Sequence, residues 1–427
     1  MSISATINNH EQSQRVAAWL PVVCVSALMP TILFPVFSVQ RIVLICLGIA
    51  WLADYILNRR WQGWQFTPDK WMYVLMIVFF LLTPLHQLFD VPATAYFHQQ
   101  VERRLPFLAV GCLGLLGFSD KLRVRYVGYS MLLSGVAALI TILVAQYITG
   151  HLHGTDFRYW FNMTRHTVVA SHMEFNLFLN IAVIMGFHIL QSPVRRALKI
   201  AVGIAMCICF MLVLFSDGRV GMITGLMIVL VLGIRQPIVR RHAWATGLFV
   251  LLLGAGALWH IGRNPRFAWD YVSHEPRLIV WRYSLEQMQK HPWTGYGLSS
   301  LSTEYVQHAY EHPDMNQYYI GGLLQLPEFA ERPRDMYLIH PHNTFLETAL
   351  EHGILGLLVL CALVVAVASV RMTPENRWYY GLTQLAILLQ AMFEPLGKYF
   401  PPLLICIVIM VWHYGTRETE PPVQIND

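Results

Sequence analysis

Charge is scarce in this chain. Asp, Glu, Lys and Arg together supply 13% of its 427 residues, hydrophobic residues supply 56%, and mean hydropathy is positive. The alternating strand and helix patterns with polar connections that a soluble α/β enzyme of this length needs are absent. Its basic residues form no single stripe, which excludes a nucleic-acid surface. All seven cysteines (Cys24, Cys46, Cys112, Cys207, Cys209, Cys361, Cys406) lie in apolar runs and read as small core residues, so neither a disulfide framework nor a cysteine metal site is expected. Internal repeats and low-complexity tracts are lacking too. Met1 to Gln14 has neither the basic start nor the small-residue cleavage site of a signal peptide. The first apolar run is therefore expected to be a retained anchor behind a polar cytoplasmic tail.

What is present is apolar sequence in long runs. Segments at 17–37, 38–57, 71–88, 105–118, 126–148, 171–190, 199–216, 219–234, 243–260, 343–370, 378–396 and 402–414 approach or reach the roughly 20 residues that cross a bilayer as helix. The expectation is an all-α, polytopic membrane protein of about twelve spans. Arg59/Arg60/Lys70, Lys121/Arg123/Arg125, Arg195/Arg196/Lys199, Arg235/Arg240/Arg241 and Arg371/Arg377 fall in alternate short loops, which the excess of cytoplasmic Lys and Arg places inside the cell. Three regions follow: 1–260 with nine spans, an external, periplasmic loop over 261–342, and 343–427 with three spans and a cytoplasmic tail.

The external loop has its own pattern. From Arg277 to Met288 the apolar residues are spaced as on one helical face, and the run stops at His291-Pro292, predicting an amphipathic helix along the bilayer surface. Trp281, Tyr283 and Trp293 suit the headgroup region, and Gly295-Tyr296-Gly297 supplies a turn. Tyr305 to Arg334 is polar, aromatic and punctuated by proline, which suits either a fold over a bound sugar or an irregular surface loop.

At the end of the loop, Pro341 discourages helix at His340, so the next helix is predicted to begin near His342 or Asn343. The open amides and dipole of a helix start favour a phosphate and disfavour imidazolium, which would hold His342 neutral and able to accept a proton. His340 has no comparable argument. Arg41, Arg103, Arg104, Arg158, Arg165, Arg219, Arg277 and Arg282 all lie on the external side, against the usual bias, and anionic headgroups or a phosphate substrate would account for them. Arg219 is the sharpest case, because Ser216-Asp217-Gly218-Arg219-Val220-Gly221 tightly links two spans; snorkelling or pairing with Asp217 is the alternative. Glu174, at the start of the sixth span, is costly to bury and is expected to pair with one of these arginines. Glu347 and Glu351 share one helix face and are expected to face water, or else to orient His342. No metal is expected, because the two-histidine spacing of metalloproteases is missing around His340, His342 and His352.

Taken in order, Ser216-Asp217-Gly218-Arg219, then Arg277-Leu278-Ile279-Val280-Trp281 with Pro292 and Gly295-Tyr296-Gly297, then His342-Asn343 with nine residues between it and Gly353-Ile354-Leu355-Gly356, resemble the O-antigen ligase and polymerase superfamily. The resemblance runs from Leu212 to Leu357, while the first half matches only as hydrophobic spans. Leu357 stands where ligases often carry threonine. The resemblance implies an inverting, metal-independent glycosyltransferase without a cofactor, set in the bacterial inner membrane with its active site facing the periplasm. The implied donor is undecaprenyl-pyrophosphate-linked glycan, and in ligases the acceptor is the lipid A core of lipopolysaccharide. Carried onto this chain, His342 takes the acceptor proton while Arg219 and Arg277 hold the pyrophosphate. Arg282, Asn343, Arg41 and Glu174 are the candidate substrate-binding residues, with Arg282 also suited to membrane lipid. A polysaccharide polymerase or protein-glycosylating relative shares these motifs; a chain that ends shortly after its last span, without a large added domain, favours the ligase. A lipid-linked oligosaccharide flippase is the third reading, but it would carry charge midway through several spans and need no large one-sided loop.

Overall fold

A computed structural model describes residues 3–34, 37–87, 95–148, 172–216, 218–236, 276–297, 305–316, 341–394 and 401–416, with Leu396 and scattered positions between 241 and 262. The described residues contain helices and turns and no strand. The helices are α1 (Ile3–Leu33), α2 (Phe37–Leu57), α3 (Trp71–Gln87), α4 (Ala95–Leu116), α5 (Val124–Ile148), α6 (His172–Gln191) and α7 (Arg196–Phe215). They continue as α8 (Arg219–Ile234), α9 (Pro276–Met288), α10 (Val306–Glu311), α11 (Thr344–Ala368), α12 (Pro374–Phe393) and α13 (Pro401–Gly415). Each expected span except 243–260, which falls largely outside the described residues, coincides with one of these helices. Length and apolarity single out seven helices as able to cross a membrane on their own: α1 to α3, α5 to α7 and α11; α8 and α13 are apolar but shorter. The chain is an all-helical, polytopic membrane protein.

Hydrophobicity marks the spans, but polar groups and glycines decide how they pack. α6 is the central helix, nearly all of its residues from Glu174 to Gly186 being buried. Asn180 Nδ2 donates to the Gly221 carbonyl of α8 at 2.9 Å, and Ser216 Oγ donates to Asn176 Oδ1 at 2.6 Å. A Cβ on Gly221 would lie 2.4 Å from that of Asn176, so only glycine lets α8 approach this closely. In α11 the helix breaks at Gly353, whose φ is +64°. The Leu350 carbonyl accepts from Tyr296 N at 2.7 Å, and Ile354 N donates to the Pro292 carbonyl at 2.8 Å. The turn 292–296 is thereby spliced into the backbone ladder of α11, and Gly295 and Gly353 meet there with no room for a Cβ.

The polar start of the chain is helical, since α1 runs from Ile3 onward. Gln14 Nε2 donates to the Leu57 carbonyl and Asn58 Nδ2 to the Gln14 carbonyl, which ties the polar extension of α1 to the end of α2. Tyr283 does not sit among headgroups. It is fully buried beside Val280, Tyr296, Tyr305 and Leu350, and its hydroxyl donates to the Tyr305 carbonyl at 2.5 Å. Burial, reinforced by the neighbouring tyrosines and glutamates, pushes this phenol well above its ordinary range. Residues of 280–315 thus form a small core with Leu350 of α11, to which 305–316 contributes Tyr305, Ala309 and Met315; Arg158, Arg165, residues 317–334 and His340 lie outside the described residues.

Glu347 and Glu351 do not face water; both are buried. Glu351 Oε2 accepts from Arg104 Nη2 at 2.5 Å, and Arg104 Nη1 reaches Thr83 Oγ1 at 3.2 Å and His352 Nε2 at 3.1 Å. Arg104 is therefore held inside the bundle, where an ion pair can exist only because its partners are fixed around it. Arg104→Ala leaves Glu351 as a buried carboxylate without its cation, and thermal unfolding in detergent is expected to show a loss of about 3–5 kcal/mol. Replacing both residues by methionine is expected to restore most of it, and a single variant as stable as the parent would refute this assignment.

Candidate functional site

Three elements meet at one end of the bundle. α11 begins at Thr344, with Asn343 as its N-cap: the Asn343 Oδ1 accepts from Phe345 N at 2.9 Å and Leu346 N at 3.0 Å, while its carbonyl accepts from Glu347 N at 2.9 Å. His342 stands just ahead of the cap with φ +48°, in the left-handed region. Asn343 also reaches across to α12, donating Nδ2 to the Met392 carbonyl at 3.0 Å. Thr344 Oγ1 donates to the Glu394 carbonyl at 2.7 Å and accepts from Leu396 N at 2.9 Å. The segment after α12 is thus fastened to the start of α11.

Glu394 is the meeting point. Its Oε2 stands 3.4 Å from His342 Nδ1, and its Oε1 accepts from Arg277 Nη2 at 3.1 Å. The carboxylate is buried, with 7% side-chain exposure, while the Arg277 and His342 side chains are about a quarter exposed. A carboxylate at Nδ1 favours the tautomer with hydrogen on that nitrogen, which puts the lone pair on Nε2. Such a ring can take a proton, and a guanidinium beside it can meet phosphate oxygens with a planar fork of donors. Asn343 takes the amides of Phe345, Leu346 and Glu347, and Arg277 brings a guanidinium to the same carboxylate that His342 approaches.

α9 presents Arg277 through its spacing. Val280, Tyr283, Ser284 and Gln287 form the buried face, held by Ser284 Oγ to the Val280 carbonyl at 2.6 Å and by Tyr296 OH to Gln287 Oε1 at 2.9 Å. Arg277 and Trp281, one turn apart, share another face; Trp281 Nε1 donates to the Pro341 carbonyl at 2.7 Å, and its ring lies 6.1 Å from that of Phe393. Arg282 points elsewhere. Its side chain is 73% exposed and pairs with Glu286 one turn on at 3.3 Å.

Arg219 opens α8, directly after the Gly218 N-cap. α8 packs on α12, and Arg235 at its far end stacks on Trp378 with its guanidinium carbon 4.2 Å from the ring centroid. The two helices are therefore antiparallel. Sixteen residues separate Arg219 from Arg235 and sixteen separate Trp378 from Glu394, a rise of about 24 Å in each. Arg219 thus lies at the end of α8 opposite the Arg235–Trp378 contact. Asp217, its expected alternative partner, lies outside the described residues. Glu174 is buried in the first turn of α6, near the same end. Arg41 stands in an exposed ion pair with Glu102, which links α2 to α4. Among the described residues no three His, Cys, Asp or Glu side chains are placed to share a metal ion.

Sequence reasoning named His342 and Arg277 but not Glu394, which joins them. A usable signal existed, because Glu394 is the sole acidic residue in the apolar run 378–396, and a carboxylate inside a span is costly unless it has a task.

A family model described as O-antigen ligase matches residues 177–361. The matched stretch contains Arg219, Arg277, Arg282, His342 and Asn343, while Arg41, Glu174 and Glu394 lie outside it. No curated protein matches the chain at a significant level.

Proposed function

We propose that the chain, which matches the O-antigen ligase family over 177–361, is such a ligase, transferring a lipid-pyrophosphate-linked glycan to a hydroxyl of the lipid A core. Members of this family are glycosyltransferase-like enzymes that process O-antigen. The observation that supports the finer reading is the convergence of His342 and Arg277 on Glu394.

The proposed reaction uses these groups as follows. His342 Nε2 accepts the proton of the acceptor hydroxyl as its oxygen attacks the anomeric carbon. The bond from that carbon to the pyrophosphate oxygen breaks with its electron pair, and the configuration inverts. Arg277 and Arg219 stabilise the charge that develops on the departing undecaprenyl pyrophosphate. A leaving group whose charge is met by fixed guanidinium groups needs no divalent ion for this step. Glu394 positions both His342 and Arg277. Asn343 acts through the backbone, by capping α11, and Arg282 is placed to meet anionic headgroups. The external segment, with the site on it, faces the periplasm from a bacterial inner membrane, in three parts: spans over 1–260, external segment over 261–342, spans over 343–427.

The polymerase reading draws on one departure, Leu357 in place of the threonine that often follows the glycine pair in ligases. One experiment separates the alternatives. In a ligase-null strain, expression of this chain is expected to return long glycan to lipopolysaccharide. Long glycan that stays on the lipid carrier, or rescue only of a polymerase-null strain, would replace the ligase assignment. Rescue only of a flippase-null strain would remove the catalytic step.

A further inference from the structure

One side chain of α9 touches both halves of the site. Trp281 Nε1 donates to the Pro341 carbonyl at 2.7 Å, and its ring lies 6.1 Å from that of Phe393, tilted by 38°. Pro341 immediately precedes His342, and Phe393 immediately precedes Glu394. Arg277 stands one turn before Trp281 on the same helix. A tryptophan set in the headgroup layer would turn its N–H outward to lipid and water; here the N–H is spent inside the protein.

The backbone of His342 gives that bond its weight. Its φ of +48° is a rotation away from the plane of the peptide to which the Pro341 oxygen belongs, so holding that oxygen fixes the plane from which the direction of the ring is set. The following residue is pinned as well, because Asn343 caps α11 and donates to the Met392 carbonyl at 3.0 Å. A residue other than glycine keeps a left-handed backbone only where its surroundings over-determine it. Of the two restraints, the cap belongs to α11 itself, whereas the Trp281 bond comes from α9, the helix that carries Arg277. We propose that Trp281 is a positioning residue, whose N–H locks His342 in the left-handed conformer that brings its ring to Glu394 and so sets the base in register with Arg277. The proposal rests on the role given to His342 above and adds the residue that holds it there. α9 does not depend on this bond for its own place, since Tyr283 OH donates to the Tyr305 carbonyl and the turn 292–296 is spliced into α11 through Tyr296 N and Ile354 N. Removing the N–H is therefore a local change.

The test uses the full-length protein in nanodiscs with β-(3-benzothienyl)alanine incorporated at position 281, which keeps the shape of the indole and puts sulfur where the N–H was. Trp281→Phe is the second variant and keeps a smaller ring against Phe393. In both, kcat for glycan transfer is expected to fall by about tenfold, the upper end of what one neutral hydrogen bond contributes. KM for the lipid-linked donor is expected to stay as it is, since Arg277 and Arg219 are untouched. In the His342→Asn background the same replacements are expected to cost nothing further, because both changes act on one unit. Carbethoxylation of His342 by diethyl pyrocarbonate, followed by peptide mass spectrometry, reads the ring without any catalysis. Its rate is expected to rise by about threefold or more as the ring leaves Glu394, again the weight of one hydrogen bond, while His291 and His312 react as in the parent. Unchanged kcat, an equal loss in the His342→Asn background, or unchanged carbethoxylation of His342 overturns the proposal. A protein whose His342 reactivity responds in this way but which transfers no glycan would refute the ligase reading and leave the brace assigned, whereas glycan transfer indifferent to the replacements would refute the brace alone.

Discussion

His342→Ala and His342→Asn are each expected to lower glycan transfer by roughly 10²- to 10⁴-fold, the span of a lost general base, while insertion into the membrane is unchanged. The ring is about a quarter exposed, and Glu394 stands 3.4 Å from its Nδ1. Backbone strain is the competing effect, since φ at this position is +48°. Alanine resists that conformation by about 1–2 kcal/mol, whereas asparagine adopts it readily, so the pair separates strain from chemistry. Transfer by purified, inserted protein is the measurement. An asparagine variant within tenfold of the parent would remove His342 as the base, whatever the alanine variant does.

Glu394→Gln is expected to have the next largest effect, about 10²-fold on transfer. The ceiling is set by serine proteases, where replacing the carboxylate behind the catalytic histidine costs about 10⁴-fold; here the contact is longer and the ring partly solvated, so the loss is smaller. Glutamine preserves the shape and the backbone bonds of the Glu394 segment with Thr344, so a change in folding does not accompany it. Arg277→Ala provides the coupling partner. If Glu394 acts by holding Arg277 and His342, the double variant should be little worse than the worse single one, because both changes break the same unit. Effects that multiply independently would show that Glu394 is merely a buried charge near the site. Arg277→Lys is expected to rescue only part of the alanine loss, since an ammonium lacks the planar fork.

Much of the architecture was legible because a bilayer imposes one simple rule, that apolar runs of sufficient length become helices. The expected spans fall on observed helices for this reason, including α12, whose polar first half had blurred its start. Packing partners were less legible. Arg104 and Glu351 lie far apart in sequence, and each alone suggested a solvent-facing or lipid-facing charge; their pairing inside the bundle depends on how α4 and α11 lie together. Tyr283 read as a headgroup residue because its neighbours are amphipathic, yet the turn 292–296 and the helix after Tyr305 cover it. Arg282 read as a second guanidinium beside Arg277, but five residues of helix carry it to another face.

From the sequence alone came the helical membrane class, the polar stretch between the apolar runs, the break before α11 at Pro341, and the residues His342, Arg219 and Arg277, because hydropathy, proline geometry and the distribution of charge are local properties. Tertiary structure alone decided that Glu394 stands between His342 and Arg277, and that Arg104 and Glu351 pair inside the bundle. Those are relations between helices distant in the chain, set by glycine contacts and cross-helix hydrogen bonds for which a linear pattern carries no trace.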